Sequence, residues 1–382
     1  MKRNINLTVA ALTLLLLASC KKDGQMLTVI NEDGTCVREL TRHVSPKELI
    51  DSDIYPYNSK DEMEDWEQTW SLMGEEIRHP MPMTQEQFDS IQRNYHGEYI
   101  PEIVLKHYRR EFPSVEDMSN NIPIESKKSM LIVEGTFEKH FKWFYTDIEF
   151  KETYAYNTND STFYFPIPLD RFISADSASY WFTGLPDLSQ KRSGAELKEL
   201  LDEIEGKVSK WINANLFAEI YDYVYIENYD KIKNSPVSKE QFIALRDTLA
   251  MTPAILNQQP YNNGETIMKV INDYFKSDAI TSAICLYDSI DTHYTKHGHI
   301  MELFLDYDLV MPGKVTDAGM GLYDGEVIHY RLTGERLIPG PYTITATSRV
   351  TNIWAFIVTF LIILLAVGSF FYHPLRLLRR RE

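Results

Sequence analysis

From Thr351 to Tyr372 the chain carries no charged residue, and its centre, Ala355 to Leu365, is apolar apart from Thr359. No other stretch restricts the possible folds as much. Roughly 20 apolar residues at about 1.5 Å each suffice to cross a hydrocarbon core as a helix. The missing polar face also sets the stretch apart from helices that line a soluble core. The sequence therefore predicts a single C-terminal transmembrane helix over 351–372, with Trp354 and Tyr372 at its two ends. Arg376, Arg379, Arg380 and Arg381 follow directly. By the positive-inside rule this basic tail, 373–382, is expected in the cytoplasm, and everything before the helix on the other side of the membrane.

The other end predicts export. Lys2 and Arg3 precede an uncharged, mostly apolar run from Ile5 to Ala18, and Leu17-Ala18-Ser19-Cys20 closes it. Charge, apolar run and small residues in that order describe a secretory signal too short to span a bilayer. The tetrapeptide resembles the lipobox of bacterial lipoproteins. That resemblance implies cleavage of a signal peptide, 1–19, and a diacylglyceryl group on the Cys20 thiol. A lipid anchor and an apolar helix on one chain place it at the bacterial inner membrane, with the intervening domain in the periplasm.

Between Lys21 and Thr351 there are 33 basic and 54 acidic side chains, a net charge of −21. Phosphate backbones and anionic lipid headgroups repel such a domain, which argues against nucleic-acid partners. The apolar fraction of the full chain, 44%, is that of a protein able to bury a core. An oxidising periplasm would allow Cys36 and Cys285 to pair, although sequence does not say whether they approach each other.

Patterning divides the domain. A hairpin is predicted from Met26 to Ile30 and Thr35 to Arg42, turned by Asp33-Gly34. Phe144, Thr146, Ile148 and Phe150 alternate with polar neighbours as a half-buried strand does. From Pro168 the period becomes helical. Ser193-Gly194-Ala195-Glu196 is a capping box ahead of Leu197, Leu200, Leu201, Ile204, Val208, Trp211 and Ile212. Alternation returns at Met301, Leu303, Leu305, Tyr307 and Leu309. The expected fold is α+β: an antiparallel β-rich sheet or sandwich (20–167 and 299–350) with a helical insertion (168–298).

Met311-Pro312-Gly313-Lys314, then Asp324-Gly325, then Ala346-Thr347-Ser348-Arg349 ahead of an apolar helix, resembles the LppM-type domain of bacterial envelope lipoproteins. The resemblance implies a β-rich, membrane-tethered module without assigned catalysis.

Chemistry is sparse. No phosphate-cradling glycine loop, dinucleotide fingerprint or Gly-x-Ser-x-Gly elbow occurs. The metal candidate is His293, His297 and His299, where the first two imidazoles share a face if a helix persists. No cofactor is expected. The leading expectation is a noncatalytic envelope protein whose acidic ectodomain binds an envelope protein partner. The alternatives are a metal-dependent hydrolase built on the histidine cluster and a lipid-handling module.

Overall fold

The computed structural model describes residues 24–50, 65–94, 103–122, 131–157, 165–190, 192–233, 235–258, 263–283 and 303–378. The chain opens with the hairpin β1 (Gly24–Ile30) and β2 (Cys36–Val44), turned at Gly34, whose φ of 97° suits glycine. There follow β3 (Glu67–Leu72), β4 (His79–Pro80), helix α1 (Gln85–Asn94), β5 (Val104–Phe112) and the short helix α2 (Val115–Ser119). A long hairpin, β6 (Leu131–Lys142) and β7 (Tyr145–Tyr156), precedes the helical block. That block contains α3 (Ala175–Thr183), α4 (Gly194–Ile220), α5 (Lys239–Ala244), α6 (Arg246–Ala250), α7 (Pro253–Leu256) and α8 (Asn263–Phe275). Strands β8 (Phe304–Val310), β9 (Lys314–Asp317), β10 (Leu322–Tyr323), β11 (Ile328–Thr333) and β12 (Tyr342–Thr351) lead into α9 (Ile353–Leu378).

Eight strands form one sheet in the order β10-β11-β8-β1-β2-β5-β3-β4, and four form another, β6-β7-β12-β9. The larger sheet is mixed, not wholly antiparallel, because β1 runs parallel to β8 with Met26 opposite Tyr307. The whole helical block intervenes between these two strands, so no tight turn dictates their relative direction. The fold is thus α+β, and strands from both ends of the chain share a sheet.

The inner faces of the two sheets enclose one core. Met26, Leu40, Tyr108, Phe112, Leu305 and Tyr307 of the larger sheet pack with Ile148, Phe150, Tyr154 and Ile344 of the smaller. Alternation along β8 and β11 leaves Leu305, Tyr307 and Leu309, and Ile328, Tyr330 and Leu332, facing inward. The helical block has its own core around Ala214, Phe217, Tyr221, Phe242, Ile267 and Ile271.

One charged pair lies inside the sandwich. Arg38 and Glu152 have fully buried side chains, with Arg38 Nη2 donating to both carboxylate oxygens at 2.9 and 2.8 Å. Ser119, Tyr154 and Tyr307 also donate to Glu152, at 2.7, 2.7 and 3.0 Å. Burial works against both charges. The carboxylate nevertheless keeps the Arg38 pKa raised, and the guanidinium with the hydroxyl donors keeps that of Glu152 lowered. Gly135, opposite Glu152 on β6, lets α2 come this close, since a Cβ there would lie 2.1 Å from Ser119 Oγ.

The C-terminal helix corrects the expectation of a transmembrane span. Among the described residues no helix is long and apolar enough to cross a membrane. Side chains of α9 are described from Ile353 to Ser369. At about 1.5 Å per residue that part measures roughly 25 Å, against a hydrocarbon core of about 30 Å. What the structure does show is where α9 starts. Asn352 donates through its backbone N–H to Phe144 O and through Nδ2 to Lys142 O, both at 2.9 Å, which ties the helix to the β6–β7 turn.

Candidate functional site

Of the residues singled out from sequence, Cys20, Cys285, His293, His297, His299, Arg379, Arg380 and Arg381 lie outside the described residues. Arg376 falls within the backbone of α9. Cys36 is buried on β2 and its thiol donates to Ser114 O at 3.4 Å. Burial pushes that thiol up to about 11, so it is held protonated and unreactive at neutral pH.

The structure brings together groups that lie far apart in sequence. On the outer face of β8, Asp306 and Asp308 alternate with the inward Leu305, Tyr307 and Leu309. The register with β11 sets His329 opposite Asp308 and Arg331 opposite Asp306. Opposite charges thus meet directly across the strands. His329 Nδ1 lies 2.7 Å from Asp308 Oδ1, and its Nε2 lies 3.1 Å from Asp324 Oδ2. Gln25 Nε2 donates to the second Asp308 oxygen at 2.6 Å. Asp324 is itself fixed by the β10–β11 turn, where its Oδ1 accepts the N–H groups of Glu326 and Val327 at 2.9 Å each.

Gln25, Asp306, Asp308 and His329 border an open cleft of about 490 Å³, which Met320, Leu322, Arg331, Arg336 and Tyr342 also line. Backbone donors, then His329, hold the Asp324 carboxyl down at about 2. Hydrogen bonds to Asp308, then Asp324, raise His329 above its ordinary 6.5. The imidazolium therefore persists to higher pH than usual. Once pH rises through the raised value the proton leaves, one aspartate loses its donor, and the cleft becomes more negative. With both ring nitrogens engaged, His329 is placed to present charge and shape, and has no lone pair free to take a proton from a substrate.

A second cluster has the distances of a serine-histidine-acid relay. Ser71 Oγ lies 2.9 Å from His107 Nε2, and His107 Nδ1 lies 3.2 Å from Glu39 Oε1 and 3.1 Å from Thr41 Oγ1. Arg78 grips Glu39 through two bonds of 2.9 and 2.6 Å. Roles and geometry must both fit for catalysis, and here they do not. Ser71 is only 2% exposed and sits within a paired strand opposite Leu105, so no carbonyl can approach its hydroxyl. The cluster ties β2, β5 and β3 together.

This cluster predicts an acid limb of stability. Burial raises the Glu39 carboxyl, but hydrogen bonds from His107 and Arg78 outweigh it and bring the group to about 2. A depressed acid stabilises the fold above its unfolded pKa near 4.5, and that contribution is lost as pH falls towards 2. It amounts to roughly 3 kcal/mol. Urea midpoints of the parent chain and of Glu39→Gln, compared from pH 6 to about pH 2, should converge as pH falls. Parallel curves would show that Glu39 gains nothing from its neighbours.

Glu138, His140 and Glu149 form an exposed trio whose ligand atoms lie within 4.8 Å of one another. Lys151 Nζ is 3.6 Å from Glu149, as in an ordinary surface ion-pair network. A second open depression of about 490 Å³ is lined by Asp65, Glu67, Arg109, Arg110 and Glu111. All five residues lining this second depression are charged.

Comparison of the chain with protein families, with curated proteins and with solved structures gives no match. Function must accordingly be argued from the site itself. Sequence reading missed the cleft because Gln25, Asp308, Asp324 and His329 form no motif. The available signal was the outward phase of β8 and β11, which places Asp306, Asp308, His329 and Arg331 on one surface once those strands are paired.

Proposed function

We propose that this chain is a noncatalytic envelope lipoprotein, acylated at Cys20, whose acidic domain binds an envelope protein partner at the periplasmic face of the inner membrane. The order of features in residues 1–20 supports the acylation and export, and the charge of the domain supports a protein rather than nucleic-acid partner. The single observation behind the binding role is the cleft beside β8 and β11, where His329 is clamped between Asp308 and Asp324. Arg331, Arg336 and the aspartates offer preorganised partners of both signs to a polar, charged segment. Such a surface recognises without turning over.

Leu322, 77% exposed at the cleft, is the place to probe this. A photo-cross-linking benzoylphenylalanine is introduced there in the full chain, expressed in a bacterial envelope. One reproducible protein adduct is expected, and Arg331→Ala combined with Arg336→Ala should reduce it about tenfold, the equivalent of about 1.4 kcal/mol. No adduct, or one indifferent to both arginines, would remove the cleft from the function.

A further inference from the structure

The described surface carries one large apolar patch. The β6–β7 turn displays Phe141, Trp143 and Phe144, and the first turns of α9 display Ile353, Trp354, Phe356 and Ile357, each at least 40% exposed. The two groups form a single surface. Phe141 stacks on Trp354 at 6.1 Å, Trp143 meets Trp354 edge-on at 5.4 Å, and Phe144 lies 4.7 Å from Phe356. Trp143 Nε1 donates to Thr359 Oγ1 at 2.9 Å, and the Asn352 bonds fix the helix to the turn. Aromatic side chains held this rigidly give up little conformational freedom on docking. Water-exposed apolar patches of this kind mark contact surfaces.

We infer that this aromatic knuckle is a lipid-docking surface, seated in the headgroup layer of a membrane. Three observations choose lipid over a second protein. Consecutive residues Phe360 to Leu365 are all more than half exposed. Successive residues on a helix point about 100° apart, so every face of α9 there is apolar and uncovered. A protein partner covers one face, whereas a fluid apolar medium covers all of them. Next, the knuckle pairs indoles with phenyl rings, the amphipathic combination favoured at the boundary between headgroups and acyl chains. Finally, the flanking charge suits anionic headgroups. Lys142 and Arg349 border the tip, and Asp147 neutralises only part of that charge through ion pairs of 3.0 Å to Lys142 and 2.7 Å to Arg349. Glu138, His140, Glu149 and Lys151 lie further along the hairpin as a separate network. In a domain of net charge −21 this basic rim orients the knuckle, and no other described surface combines it with exposed indoles.

The inference adds a surface to the envelope reading and is independent of the cleft. Loss of the cross-link at Leu322 would leave lipid docking standing, and failure to dock would leave the cross-link standing. The test uses the full chain bearing Cys20→Ser, so that no acyl chain carries it to the bilayer. Vesicles of phosphatidylcholine with a minority of phosphatidylglycerol carry bromines either near the headgroup end or near the methyl end of the acyl chains. Shallow bromines should quench tryptophan emission more strongly than deep ones. Trp143→Phe combined with Trp354→Phe keeps the packing and should lose most of that quenching. Phe141→Ser combined with Phe144→Ser should weaken vesicle partitioning about tenfold or more. Absent quenching, quenching deepest at the methyl end, or emission that shifts with protein concentration and ignores lipid would each overturn the inference, the last in favour of a second copy of this chain.

Discussion

Glu152→Ala is expected to lower the unfolding free energy by about 3–5 kcal/mol, the largest loss for any single polar substitution in this domain. The cost comes from what stays behind. Arg38 is fully buried, its Nη1 already lacks a hydrogen-bond partner among the described residues, and its Nε is held by Thr28 at 3.2 Å. Without the carboxylate the guanidinium remains in the core with its charge uncompensated, and Ser119, Tyr154 and Tyr307 lose their common acceptor. Each orphaned hydroxyl adds a desolvation penalty. Arg38→Met combined with Glu152→Leu should recover most of the loss, because a shape-matched apolar pair removes both charges at once. Equilibrium urea unfolding of the single and double variants decides it. A Glu152→Ala cost below about 1 kcal/mol would mean that water reaches the guanidinium and that the pair is not a core element.

Why such a pair exists can be read from topology. The four groups that donate to Glu152 come from β2, α2, β7 and β8, elements separated by most of the chain. Apolar contacts tolerate sliding of one sheet over another, whereas a carboxylate with fixed donors tolerates one alignment. The pair therefore acts on register between the sheets, with little net gain in stability.

The sequence made the local elements legible where one periodicity dominates. The Asp33-Gly34 turn, the alternation of β7 and the capping box at Ser193 all appear in the structure, since each is decided by residues within a few positions of one another. Pairings between distant segments were not legible. Nothing local distinguishes Arg38 from the surface arginines Arg109 and Arg331, and its burial follows only from Glu152 arriving on the opposite sheet. The parallel contact of β1 with β8 and the meeting of His329 with Asp324 and Asp308 have the same origin. The C-terminal apolar run shows a further limit. Composition alone predicted a crossing, and it said nothing of the β6–β7 turn that bonds to the foot of α9 and joins its aromatics into one patch.

Trp211→Ala should cost about 3–5 kcal/mol and should do so in the helical block first. Trp211 is 1% exposed, packs against Phe165 with ring centroids 4.8 Å apart, and donates through Nε1 to Ile167 O at 2.8 Å. The same carbonyl also accepts from Asn215 Nδ2 at 3.1 Å, while Asn215 Oδ1 accepts the Ile167 N–H at 2.9 Å. Truncation therefore leaves no unpaired carbonyl, and the loss is one of volume where the segment from Phe165 to Ile167 packs on α4. Trp211→Phe fills most of that space and should cost only about 1–2 kcal/mol. Because the block's core around Phe217, Tyr221 and Phe242 is separate from that of the sandwich, hydrogen exchange should show amides of α4 losing protection before those of β7. Equal costs for the alanine and phenylalanine variants would place the stabilisation in the indole N–H instead. Simultaneous loss of protection in α4 and β7 would mean that the two cores unfold as one unit.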